Sequence, residues 1–421
     1  MYNILVTGAK GQLGSELQDL SLLYPEYEFI FSDEEDLDIS NHQEVRKFIA
    51  VNSITAIINC AAYTAVDKAE TEPTKADTIN HLAVENLAKI SKSRGIVLIH
   101  ISTDYVFDGT SNKPYTEEDI PNPQSVYGQT KLDGENAMLK INPAHAIIIR
   151  TSWLYSSYGS NFVKTMIRLG KEKKELSIIS DQVGSPTYAN NLARTILEIL
   201  PKIENEDVEI YHYANEGICS WYDFAIAIFV LKKMAIKVDP IKSVEFITLA
   251  KRPPYSVLNK SKIKETFQIK IPSWEESLAR CLRKPEPKLI ELAKILDKRG
   301  YLTWFENSNQ IPFDIEWTYF VYGVPGGEII GGHAFRERNE FLVVLSGSLD
   351  IIIFDGQKET KLSLNRSYYG LFIPNGLWYH MENFATNTFV LVVTSTTFNE
   401  NDYIRDKGEF LKLMQDEKDS I

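Results

Sequence analysis

Ile4-Leu5-Val6-Thr7-Gly8-Ala9-Lys10-Gly11-Gln12-Leu13-Gly14 joins an apolar strand to three evenly spaced glycines, and residues 15–23 beyond them have helical character. A strand, a glycine turn and a helix in that order bring bare backbone to a helix N-terminus. Unpaired N–H groups and the helix dipole there favour a pyrophosphate. Glycine turns serve many folds, but one at a strand end reads as a dinucleotide site, with Gly8, Gly11 and Gly14 as its contacts.

Working outward, the next strand, residues 28–31, delivers Asp33 nineteen residues after Gly14. An acid at that distance meets the adenosine ribose hydroxyls and favours NADH. Lys10, directly before the second glycine, is placed for the 2'-phosphate of NADPH, so the cofactor is NADPH or NADH with the choice open. Asp38 reads either as a contact to the adenine edge or as a cap on the following helix. Strands at 56–60, 97–102 and 146–151 alternate with helices at 76–93 and 127–139. Such alternation implies a parallel sheet covered on both faces, with ligands at the C-terminal strand ends. Thr103 and Asn59-Cys60-Ala61-Ala62 fall at those ends.

Tyr127 follows Thr103 by twenty-four residues and precedes Lys131 by four. On a helix Tyr127 and Lys131 share one face. An ammonium one turn away stabilises a phenolate and lowers a phenol pKa from its usual ~10. Tyr127 is thus a candidate proton donor, and a Thr103 hydroxyl at the strand end is placed to bond the same substrate oxygen. The trio reads as a carbonyl-reduction site. Any helix can carry Tyr-x-x-x-Lys by chance, so the surrounding strand–helix order decides it.

The chain has 421 residues, long enough for two or three domains. Its 44% hydrophobic and 24% charged content is that of a globular protein, and a net charge of −12 argues against nucleic acid or an anionic membrane as main partner. Cys60, Cys219 and Cys281 lack CxxC spacing, so neither a disulfide framework nor a cysteine zinc site is indicated. With no basic leader before the first strand and no long apolar run, a cytoplasmic protein is expected.

Gly8-x-x-Gly11-Gln12-Leu13-Gly14, Ala61-Ala62-Tyr63-Thr64-Ala65-Val66-Asp67, Ser102-Thr103-Asp104-Tyr105-Val106-Phe107-Asp108-Gly109, Tyr127-x-x-x-Lys131 and Arg150-Thr151-Ser152-Trp153 together resemble the dTDP-4-dehydrorhamnose reductase family of extended short-chain dehydrogenases/reductases. The likeness continues through Asp181-Gln182-Val183-Gly184-Ser185-Pro186-Thr187, Cys219-Ser220-Trp221 and Arg252-Pro253, covering residues 1–284. It implies a Rossmann-type sheet with a small substrate lobe and NAD(P)H-dependent reduction of the C4 ketone of a dTDP-linked 6-deoxy-4-ketohexose. The roles it implies are Tyr127 as acid, Thr103 polarising the carbonyl, and Lys131 tuning Tyr127 and holding the nicotinamide ribose. Gln12, Leu13, Ala61 and Ala62 join the cofactor contacts. Thr64, Val66, Tyr105, Trp153 and Arg252 become candidates for the substrate. The bland readings are a helix cap for Thr64, packing for Val66 and Trp153, and a surface ion pair for Arg252.

Near Lys284-Pro285-Glu286-Pro287-Lys288 the alternation ends, and two prolines among charges mark a linker. A helix over 289–296 is expected, then strands at 317–322, 340–346, 349–354, 361–364, 370–373 and 388–394, an all-β sandwich or barrel. Gly327-x5-His333-Ala334-Phe335-x4-Glu340-x6-Gly347, with Gly370-x3-Pro374-x-Gly376-x3-His380-x2-Asn383, resembles the paired motifs of a cupin, a double-stranded β-helix or jelly roll. Asp297-Lys298-Arg299-Gly300, Gly332-His333-Ala334 and Asp402-Tyr403-Ile404-Arg405-Asp406 look like the dTDP-sugar 3,4-ketoisomerase family over residues 290–415. That family moves a ketone between C3 and C4 through an enediol, with His333 as the implied base. Two departures stand out: Phe335 replaces the second His of His-Ala-His, and Ile330 replaces an Arg. His333, Glu340 and His380 resemble a three-ligand zinc set, yet no metal is expected because that set is incomplete. Tyr319, Arg299 and His380 are weaker candidates for the same pocket.

The reading is a fused reductase, residues 1–284, and cupin isomerase or epimerase, residues 285–421, acting on a dTDP-linked ketosugar. A homodimer is expected. An ordinary reductase with a non-catalytic cupin, or a nucleotide-binding regulatory subunit, are the alternatives.

Overall fold

The computed structural model describes all residues except 1, 22–23, 25, 247, 283–285, 307–309 and 419–421, so Lys284 and Pro285 of the expected linker lie outside the described residues. The chain divides into two compact units, Met1–Leu282 and Arg283–Ile421. Among the described residues no helix is long and apolar enough to cross a membrane.

The first unit is built on β1 (Asn3–Thr7), β2 (Glu28–Ser32), β3 (Ala56–Asn59), β4 (Val97–Thr103), β5 (Ala146–Thr151) and β6 (Glu209–Tyr213). They form one parallel sheet in the order β6-β5-β4-β3-β1-β2. The order reverses between β1 and β3, which opens a crevice above their C-terminal ends. Side chains alternate across the sheet. Ile4, Val6, Ile58 and Ile99 pack on one side with Leu13 and Leu17 of α1 (Gln12–Ser21), while Leu5, Ile57 and Leu98 pack on the other with Leu87 and Met138. Burial on both faces explains the near-continuous apolar runs of these strands.

All three helices expected in this unit differ in their bounds, α1 starting at Gln12 and not at residue 15. The region expected as one helix over 76–93 begins at Pro73–Asp77, widens into a π-turn at Thr78–Leu82, and resumes as α2 (Ala83–Arg94). Asn80, fully buried in that turn, accepts from the Tyr63 N–H and donates to the Tyr63 carbonyl and the Thr130 hydroxyl. Such π-turns concentrate at functional sites. Helix α3 (Val126–Ile141) is longer than the expected 127–139, because Ser125 caps it by accepting from the Gly128 N–H at 3.1 Å and Asn142 ends it in the left-handed conformation. A smaller lobe packs Tyr155, Met166, Phe224, Ile228 and Trp274 together.

The second unit is all-β, a cupin jelly roll of two five-stranded antiparallel sheets. One orders β7 (Lys288–Glu291), β15 (Tyr369–Ile373), β12 (Glu340–Ser346), β17 (Phe389–Thr394) and β10 (Trp317–Tyr322). The other orders β14 (Glu359–Leu364), β13 (Leu349–Phe354), β16 (Trp378–Glu382), β11 (Ile330–Phe335) and β18 (Tyr403–Ile404). A hairpin, β8 (Ile295–Asp297) and β9 (Gly300–Leu302), stands beside them. The expected helix over 289–296 is therefore wrong: Leu289 and Ile290 pair in β7 with Leu371 and Gly370, and sheet pairing overrides local helix preference. Also unexpected are β8, β9, β11, β16 and β18, β11 because two glycines interrupt its apolar pattern.

Candidate active sites

Above β1, β3 and β4 lies a cleft of about 950 Å³. Its floor is the glycine turn. Gly8 has φ +66°, and a Cβ there would meet the Ala61 backbone nitrogen at 2.7 Å; one on Gly14 would stand 2.3 Å from the Gly8 carbonyl oxygen. Only glycine lets these backbones close up, which leaves a cradle suited to a pyrophosphate.

Every residue expected at the cofactor lines this cleft: Gly8, Gly11, Gln12, Leu13, Gly14, Asp33, Asp38, Ala61, Ala62 and Lys131. Asp33 accepts the Lys10 backbone N–H at 2.7 Å, which ties the second strand to the turn. The Lys10 amine is paired to Glu35 at 2.5 Å rather than held over the cleft. Asp38 does not cap the next helix; Asn41 does, and Asp38 accepts from the Ser40 N–H and hydroxyl instead.

Thr103, at the end of β4, meets Tyr127 at the start of α3. The Thr103 hydroxyl donates to Asp104 at 3.1 Å and accepts the Tyr105 N–H at 3.2 Å, with the Tyr127 phenol beside it. Contrary to the expectation of a Lys131-lowered phenol, burial pushes Tyr127 up to about 12; the Thr103 hydrogen bond opposes this and the Asp104 charge adds to it. Lys131 is buried and donates to the Ile101 carbonyl at 2.6 Å. Burial pulls its amine down to about 8, against the charge of Glu135.

Thr64, Val66, Tyr105 and Trp153 also line the cleft. Thr64 caps nothing, because the adjoining helix starts from Ala65 without a side-chain cap. Tyr105 sets its ring edge-on to Tyr127 at 5.5 Å. Trp153 holds a left-handed φ of +48°, strained for a bulky residue, and stacks on Trp221 at 3.6 Å. Arg252 is the exception: it is outside the cleft lining and forms a two-point pair with Asp67 at 2.6 and 3.2 Å, the ion-pair reading of that residue. Trp221, Phe162 and Thr78 line the cleft as well, although the sequence assigns none of them a contact with the sugar or cofactor. Trp221 is the first residue of a helix that a Ser220–Asp223 capping box starts, a signal legible in the sequence.

In the second unit His333 lies opposite Tyr379 on the neighbouring strand and is ringed by Phe335, Tyr379 and Tyr403, 4.8–5.3 Å between centroids. Its Nε2 is buried without a hydrogen-bond partner, and burial with the Arg405 charge brings the ring down to about 4. Glu340 accepts from Tyr319 at 3.1 Å and from Tyr379, and burial pushes its carboxyl up to about 7. His380 pairs with Glu382 at 3.6 Å, and Arg299 is exposed beside Asp297. The described residues therefore do not bring His333, Glu340 and His380 together as metal ligands. Tyr319 shares the interior, whereas Arg299 and His380 are engaged elsewhere.

Comparison with known proteins gives two matches along the chain. Residues 2–286 match the family profile described as RmlD substrate binding domain, and residues 285–415 the one described as WxcM-like, C-terminal. A dTDP-4-dehydrorhamnose reductase of Aggregatibacter actinomycetemcomitans is 42% identical over 288 residues, covering 66% of this chain and 97% of that protein. The crystal structure of dTDP-4-dehydrorhamnose reductase from Bacillus anthracis in complex with NADP is 41% identical, covers 66% of this chain and 98% of that one, and has a TM-score of 0.64. A 3,4-ketoisomerase from Helicobacter canadensis is 36% identical over 31% of this chain and 97% of that one, with a TM-score of 0.30.

Proposed function

From the premise that the chain belongs to the dTDP-4-dehydrorhamnose reductase family, we propose that its first unit reduces the C4 ketone of a dTDP-4-keto-6-deoxyhexose and that its ketoisomerase-like cupin acts on the same class of dTDP-sugar. The observation that carries this is the convergence of Thr103, Tyr127 and Lys131 on one cleft with the glycine cradle. NAD(P)H bound there supplies the hydride. Tyr127 gives its phenolic proton to the oxygen of the reduced carbon, a general-acid step. The Thr103 hydroxyl donates to that same oxygen while charge develops on it. Lys131, anchored on Ile101, holds the nicotinamide ribose, and Gly8, Gly11, Gln12, Leu13, Gly14, Ala61 and Ala62 hold the rest of the dinucleotide, with Asp33 and Asp38 toward its adenosine end.

For the sugar we assign Thr64, Val66, Tyr105 and Trp153. Arg252 acts through Asp67, bracing the loop beside them. In the cupin, His333 is the base that moves a proton at C3, its unpartnered Nε2 supporting that role. A homodimer is supported by the exposed aromatic residues Tyr301, Phe320 and Tyr322 of the second unit, and a reducing, cytoplasmic location by three cysteines without disulfides.

The test is to mix the folded protein with a dTDP-4-keto-6-deoxyhexose and NAD(P)H. Loss of the reduced-cofactor absorbance is expected; none with any epimer sinks the reductase reading. For the cupin, deuterium from heavy water should enter C3 without cofactor, and exchange that survives His333→Ala removes His333 as the base. Light scattering reads the dimer.

A further inference from the structure

Thr7, Asn59 and His100 stand side by side in register on β1, β3 and β4, and α3 lays Lys131 over the end of the row. All four side chains are at most 1% exposed. Their neighbours two residues earlier on each strand are Leu5, Ile57 and Leu98, so an apolar row would be the default here. Buried polar groups cost stability unless each finds a partner. These do. The Thr7 hydroxyl donates to Asn59 Oδ1 at 2.7 Å, Asn59 Nδ2 lies 3.0 Å from His100 Nδ1, and His100 Nε2 lies 3.4 Å from Lys131 Nζ.

A neutral imidazole has one donor and one acceptor nitrogen. With Nδ1 accepting from the Asn59 amide, Nε2–H points at Lys131 and suits only an uncharged amine with its lone pair. With the Asn59 amide turned over, its oxygen takes Nδ1–H, Nε2 accepts from an ammonium, and the Thr7 hydroxyl accepts from the amide nitrogen. Each of the three contacts in the row keeps one donor and one acceptor in both arrangements.

We propose that His100 is a positioning residue for Lys131 that fits either charge state of the amine, by a joint change of tautomer, amide orientation and hydroxyl rotor. The inference rests on the role assigned to Lys131 above. In turnover, Tyr127 loses its phenolic proton to the sugar oxygen and the phenolate regains one from Lys131. The amine lone pair is then met by His100 Nε2–H, and solvent in the cleft returns one proton to the amine. His100 ends with the proton count it began with. The titratable groups around the amine are Glu135 on α3, Cys60 after β3 and His100 on β4, and Tyr127 lies one helical turn earlier on α3. Burial and the Lys131 charge hold His100 well below its usual range, so it stays neutral throughout.

The test is nitrogen NMR of the His100 ring in the full chain, titrated through the Lys131 transition near pH 8. The two ring nitrogens should exchange donor and acceptor character across that transition, and the exchange should vanish in Lys131→Met. A tautomer that stays fixed overturns the proposal. In kinetics, folded His100→Gln and His100→Leu should lower kcat about tenfold and move the alkaline limb of its pH profile. An unmoved profile in either folded variant also overturns it. Because the NMR readout needs no turnover, an inactive wild type would sink the reductase reading without deciding this one.

Discussion

Arg150 and Glu135 meet at two points beneath the cleft, Nη2 to Oε2 at 2.6 Å and Nε to Oε1 at 3.0 Å, and neither side chain is more than 2% exposed. Ser102 completes the carboxylate, donating to Oε1 at 2.5 Å. Removing one partner of such a pair strands a buried charge, whereas replacing both with apolar groups does not. Glu135→Ala should therefore destabilise the first unit by about 3–5 kcal/mol in chemical denaturation. The double variant Glu135→Leu, Arg150→Met should lose clearly less, and equal losses would contradict this account.

The glycine turn predicts an asymmetry in cofactor binding. A Cβ on Gly14 would fall 2.3 Å from the Gly8 carbonyl oxygen, while one on Gly11 would meet that oxygen at 3.1 Å. Gly14→Ala should push α1 away from β1 and weaken NAD(P)H at least tenfold in a fluorescence titration, about 1.4 kcal/mol or more. Gly11→Ala should weaken binding less than Gly14→Ala, since its Cβ meets the same oxygen at 3.1 Å and not at 2.3 Å.

Tyr127→Phe should lower kcat by a factor of about 10²–10⁴ with cofactor affinity retained. Its phenol, raised to about 12 by burial, remains protonated through the neutral range. The alkaline limb of kcat should accordingly follow Lys131, near 8, and not the phenol. Stopped-flow single turnovers across pH separate the two.

In the cupin two buried groups push stability in opposite directions with pH. His333 is lowered from 6.5 to about 4, so between these values the unfolded chain binds the extra proton and stability rises with pH. Glu340 is raised from 4.5 to about 7, so in that window the folded state binds the extra proton and stability falls as pH rises. The wild-type unit should show a muted dependence between about pH 4.5 and 6.5. Glu340→Gln should leave the rising slope and His333→Asn the falling one, measured by thermal denaturation at each pH.

Where the pattern was local, sequence was enough. Ile4-Leu5-Val6 before Gly8, and Tyr127 four residues before Lys131, carry their spacing within one element, and both lie where expected. Partners chosen across the fold were not legible. Nothing near Arg252 in the chain announces Asp67, 185 residues away, and nothing near Leu289 announces its pairing with Leu371. The Lys131 effect on Tyr127 failed for the same reason, because spacing counts a charge but not the burial that overrides it. Strand β11 was hidden by Gly331 and Gly332, although it carries His333.

Two polar rows underlie α3: Thr7, Asn59 and His100 under Lys131, and Ser102, Arg150 and His212 under Glu135, one helical turn further on. A helix seated on apolar side chains alone can slip or roll at small cost. One keyed at two successive teeth cannot, since a shift of a single residue would unseat both the amine and the carboxylate. The placement of Tyr127 is thus indexed by the sheet itself, before any ligand arrives.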